Sequence, residues 1–63
     1  MVFTIIVNFN YGFEIFYEKA DTGRNALLKL ITRLKTSKYC LSDIDSFQVY
    51  TKDMCCLGKI TIR

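Results

Sequence analysis

Histidine, the side chain that most often moves a proton near neutral pH, is absent from all 63 residues of this chain. A cysteine or serine nucleophile would therefore lack its usual base. The cysteines Cys40, Cys55 and Cys56 are odd in number, and two are neighbours that could join only in a strained vicinal bridge. Reduced thiols are expected, and with them a cytoplasmic protein. A zinc site would need these three thiols plus a carboxylate, at no spacing that metal sites use. Glu14 and Glu18 fall at even spacing on one strand, so their carboxylates would stand about 14 Å apart, too far for paired acid–base work. Gly12, Gly23 and Gly58 are too scattered to cradle a phosphate. The chain is accordingly expected to be no enzyme and to use neither metal nor cofactor.

What these residues can do is bind, and two sets stand out. Lys29 and Arg33 sit one helical turn apart with Asn25, Thr32 and Thr36 beside them, which suits phosphate or another anion. The second set comes from strand alternation, which is expected to display Thr4, Ile6, Phe16, Tyr50 and Thr61 on the sheet face away from the helix. Glu14, Glu18, Lys52, Lys59 and Arg63 would form its rim. A sheet with one face on a helix normally turns polar residues to water, and Ile6, Phe16 and Tyr50 break that rule. An apolar centre with a mixed-charge rim reads as a protein contact, with a host protein or a second copy of the chain. Single apolar residues also reach protein surfaces without purpose, and a basic helix face is often merely solvated.

One helix must position both sets. At 100° per residue, Gly23, Ala26, Leu27, Leu30, Ile31 and Leu34 share an arc of roughly 140°, wide enough to cover a sheet. The expected helix runs from Thr22 to Lys38, with Asp21 or Thr22 as N-cap and Arg33, Lys35 and Lys38 gathered at the end the dipole favours. Before it, Val2 to Phe9 is apolar on both faces and reads as a central strand. Asn10, Tyr11 and Gly12 make the hairpin loop, Gly12 supplying a positive φ, and Phe13 to Lys19 is the second strand. After the helix, 37–45 is expected as an ordered loop whose Tyr39, Leu41 and Ile44 plug the core. Phe47 to Thr51 is the third strand, Lys52 to Met54 a turn, and Leu57 to Arg63 the fourth strand.

The result is a single small α+β domain over residues 1–63, with element order ββαββ. With both hairpins antiparallel, a right-handed helical crossover is expected to set the first and fourth strands side by side and parallel, giving strand order 2-1-4-3. In element order and length the chain resembles the smallest β-grasp domains, such as the immunoglobulin-binding domains of streptococcal and peptostreptococcal surface proteins. That resemblance implies a mixed four-stranded sheet with one helix packed on one face.

Half of the residues are hydrophobic, so disorder is excluded, and the longest apolar runs are too short to span a membrane. Of the net charge of +3, residues 22–42 hold five positive charges and no negative one. The remainder, with four basic and six acidic residues, sums to −2. Phe, Tyr, Met, Ile, Asn and Lys supply 27 residues against eight from Gly, Ala, Arg and Pro, a skew that follows from AT-rich coding. It fits a low-GC bacterium, or a phage or plasmid within one. The expected function is a non-catalytic protein-binding module, a small phage or mobile-element protein that binds and inhibits a host factor through its outer sheet face. The alternative is a nucleic-acid-binding protein using the basic helix face.

Overall fold

The computed structural model describes residues 1–37 and 39–62. β1 (Val2–Phe9) and β2 (Gly12–Lys19) form the first hairpin, α1 (Gly23–Lys35) follows, and β3 (Ile44–Tyr50) and β4 (Cys56–Thr61) form the second. A single 3₁₀ turn at Leu41–Asp43 leads into β3.

Each element follows from local chemistry. Thr22 caps α1, its hydroxyl accepting the Asn25 amide hydrogen at 3.2 Å. At the other end, the Thr36 hydroxyl donates to the Arg33 carbonyl and the Ser37 hydroxyl to the Leu34 carbonyl. These short side chains occupy the carbonyls that a further turn would need. The helix therefore stops at Lys35, three residues short of the expected end, and Lys38 lies outside the described residues. β3 begins earlier than expected, at Ile44, whose side chain is buried in the core rather than in a loop.

The core forms between α1 and one face of the sheet. Ala26, Leu27, Leu30 and Leu34 from the helix meet Phe3, Ile5, Val7 and Phe9 from β1 and Phe47 and Val49 from β3. Gly23 lets the first turn of α1 sit close to the sheet: a Cβ there would stand 2.8 Å from Leu57 Cδ1 and 3.3 Å from Val49 Cγ1, and those side-chain ends would have to give.

The strand order is β2-β1-β3-β4, with every pairing antiparallel. This overturns the expected order 2-1-4-3 and with it the β-grasp likeness, whose central parallel pair does not form. The class, α+β with one helix on one face of a four-stranded sheet, stands. In both orders β2 and β3 run parallel, joined through α1, so the handedness rule does not fix how many strands the crossover passes. Side chains decide it. β3 supplies Phe47 and Val49 to the core, while on its other face Ser46 and Gln48 accept hydrogen bonds from Asn8 Nδ2 of β1, at 3.0 and 3.3 Å. β4, with Gly58 and Lys59 at its middle, offers neither, and all six of its residues are exposed. It is an edge strand.

Candidate functional site

The faces of β2 depend on a single residue of loop length. Phe9 opposes Gly12, so the hairpin loop is Asn10-Tyr11 and not the expected three residues ending at Gly12, which instead opens β2 with φ +152°. A change of one residue exchanges the two faces of a strand. Glu14, Phe16 and Glu18 therefore lie on the helix side, opposite Val7, Ile5 and Phe3. Phe13, Ile15 and Tyr17 lie on the outer side, opposite Asn8, Ile6 and Thr4.

This corrects three of the residues expected on the outer face. Phe16 packs against the core, edge-on to Tyr39 with centroids 5.9 Å apart, and the Arg33 guanidinium lies 5.9 Å from its centroid. Glu18 is only 9% exposed and is paired with Arg33, Nη2 to Oε2 at 2.5 Å. Glu14 accepts a hydrogen bond from the Tyr39 phenol, which is the first cause of the upward shift of that phenol's pKa; desolvation and the Glu14 and Tyr11 charges add to it. Tyr39, Phe9 and Tyr11 form a stack, with Phe9 5.5 Å from the one and 5.0 Å from the other. Desolvation chiefly raises the Tyr11 phenol too, helped by Glu14, Asp43 and Cys40.

The helix-back set is drawn into the fold by the same register. Arg33 is held by Glu18 and Phe16, and Lys29 Nζ donates to the Lys19 carbonyl at 2.6 Å. The Thr32 hydroxyl donates to the Leu28 carbonyl. Of the four residues expected to hold an anion, Asn25 keeps its side chain on an open surface, in a shallow groove with Asp21, Leu28, Lys29 and Thr32. The Asp21 carboxylate in that groove opposes an anion.

The outer face is where unpartnered apolar area collects. The pairings bring one row across three strands, Tyr17, Thr4 and Tyr50, and beside it Ile15, Ile6 and Gln48. Phe13 and Tyr17 are each 64% exposed and Ile15 48%. Thr4 is buried although no helix covers it, because it lies between the two tyrosines. Ile6 and Tyr50 stand where the sequence places them. Lys19 and Lys59 lie at opposite margins, paired with Val2 and Gln48, and Lys52 sits in the β3–β4 turn. Arg63 lies outside the described residues. Among the described strand residues that pairing places on this face there is no carboxylate, so its strand margins are basic, while the β3–β4 turn carries Asp53 beside Lys52. The missed residues, Phe13, Ile15 and Tyr17, carried one signal in the sequence, the choice between a two- and a three-residue loop.

Among the described residues no three His, Cys, Asp or Glu side chains converge as a metal site would need, and the three cysteines are exposed thiols. No helix of the described residues is long and apolar enough to cross a membrane. No family model, curated protein or solved structure matches the chain.

Proposed function

We propose that this is a non-catalytic protein-binding module whose contact surface is the outer sheet face. The observation that carries the reading is the contiguous set Phe13, Ile15, Tyr17, Ile6 and Tyr50 on a face that no element of the described residues covers. Exposed aromatics of this kind are what interface hot spots are made of, and the lysines at the two strand margins, Lys19 and Lys59, favour a partner that brings carboxylates. They also argue against a second copy of the chain, which would set lysine against lysine. The AT-rich composition supports a phage or mobile-element source, in which the partner is a host factor held and inhibited in the cytoplasm.

Nucleic acid is the lesser reading at both surfaces. On the helix, Arg33 and Lys29 are engaged within the fold. On the sheet, Phe13, Tyr17 and Tyr50 offer planes on which bases could stack, but Val2, Ile6 and Ile15 are aliphatic and two lysines neutralise few phosphates.

Capture from a host lysate, with wild type and the variant Phe13→Ser/Tyr17→Ser side by side, tests the reading. Both residues are exposed, so the variant is expected to melt with the wild type and to lose at least about 2 kcal/mol of binding to the captured protein. Undiminished capture by the folded variant would overturn the reading. Retention of nucleic acid that disappears as salt rises would move it to the lesser one.

A further inference from the structure

A four-stranded sheet is about 19 Å wide, whereas a helix with its side chains covers about 10 Å of it. α1 lies over β2, β1 and β3, so one side of the sheet's inner face is left bare. There a trough of about 320 Å³ opens, walled by Gly23, Arg24 and Leu27 of α1 and floored by Val49, Leu57 and Ile60. Ile60 opposes Phe47, so it points to the core side of the sheet, yet it and Leu57 remain 48% and 53% exposed. Ile60 is a core-facing residue that no described element covers, and Leu57 meets only the first turn of α1 at Gly23.

We propose that this trough is a docking site for one amphipathic helix of a partner protein, its apolar face on Leu27, Leu57 and Ile60 and its flanks acidic. Two observations choose that occupant. Helices packed side by side have axes 8–10 Å apart, and one such step from α1 lands over β3 and β4, the part of the sheet still uncovered. The charged residues lining the trough are Arg24, on the α1 wall, and Lys59, at the strand edge with its side chain leaving from the outer face beside Gln48, and no acid lines it. A basic margin around an apolar floor attracts an acidic flank and rejects a basic one. A second copy of this chain is disfavoured by the same charges. The site lies on the opposite face from Phe13 and Tyr17 and does not depend on the contact proposed there.

The probe is a helical peptide of about fourteen residues, matched to the roughly 20 Å length of β4, built from leucine, alanine and glutamate. A second peptide carries lysine in place of glutamate. In amide-resolved NMR titrations the glutamate peptide is expected to shift Leu27, Leu57, Gly58 and Ile60, and the lysine peptide to bind at least about tenfold more weakly. The folded variant Arg24→Glu should erase that preference, and Leu57→Ser/Ile60→Ser should abolish both. The Phe13→Ser/Tyr17→Ser protein should bind the peptide unchanged, which separates this site from the outer face. Equal binding of the two peptides overturns the proposal, as does absence of binding, or shifts centred on Tyr17. Concentration-dependent shifts at the trough without peptide would also overturn it, since a second copy would then be the occupant.

Discussion

β2 and β4 are both edge strands, with a free row of backbone donors and acceptors, but the fold closes one and leaves the other open. β2 lies under the helix. Its Phe16 joins the core, its Glu18 is clamped by Arg33, and Lys29 reaches down to its last carbonyl. β4 has a half-exposed Leu57 and Ile60 on the helix side and a single charge, Lys59, along its length. Native proteins usually blunt an exposed edge with charge, bulges or a covering element, and β4 has one lysine and the register shift opposite Val49 and Tyr50. The comparison teaches that a small domain with one helix cannot finish both sides of its sheet. The side it finishes is the one whose strand offers partners to the helix.

The largest test of that contrast is a pair of truncations. Leu30 is fully buried beneath the closed side, and Leu30→Ala is expected to lose about 2 to 5 kcal/mol, close to the whole stability of a chain this small. Ile60→Ala on the open side should lose less than about 1 kcal/mol. Urea unfolding of both variants reads the difference, and similar midpoints would mean that β4 is packed after all.

Next in size is the clamp. Arg33→Glu sets two carboxylates together where one is nearly buried, and is expected to lose about 1 to 2 kcal/mol, a figure discounted because Arg33 itself is half exposed. Adding Glu18→Arg should recover most of the loss in a double-mutant cycle. Independent, additive effects would show that β2 is held by burial alone.

Hydrogen exchange gives a finer measure. Amides of β1, paired on both sides, should exchange only through global unfolding, while those of β4 should exchange by local opening, at least about tenfold faster. Equal protection across the two strands would erase the distinction between a finished and an unfinished edge.

The smallest effect lies at alkaline pH. Tyr39 and Tyr11 have phenols raised above the ordinary 10.0 in the folded protein, so the fold keeps protons that the unfolded chain releases. Their contribution is complete below pH 10 and is lost as pH rises through the raised folded values. Tyr39→Phe removes the hydrogen bond to Glu14 and should flatten the fall of stability above pH 10. An unaltered alkaline limb would show that the phenol does not titrate with folding.

Much of the architecture is legible in the residues alone. The period of Ala26, Leu27, Leu30 and Leu34 specifies a helix, its buried face and its Thr22 cap, because each is set within a few residues of itself. The two-sided apolarity of β1 marks it as central for the same reason. The outer face was half legible. Ile6 and Tyr50 stand where alternation puts them, but Phe16, Glu14 and Glu18 change sides with Phe13, Ile15 and Tyr17.

Tertiary structure decided what local pattern leaves degenerate. A loop of Asn10-Tyr11 and a loop of Asn10 to Gly12 have nearly the same composition, yet they give β2 opposite faces, and only packing selects the one that buries Phe16 and pairs Glu18 with Arg33. The strand order is undetermined in the same way, since a crossover past one strand or two obeys the same chirality. It is settled by Asn8 meeting Ser46 and Gln48 across β1 and β3, residues 38 and 40 positions away. The sequence by itself determined the elements, because helix and strand are short-range balances of periodicity and capping. Faces, neighbours and the open edge had to wait for contacts between residues far apart in the chain, where loop parity and side-chain partners carry the energy difference.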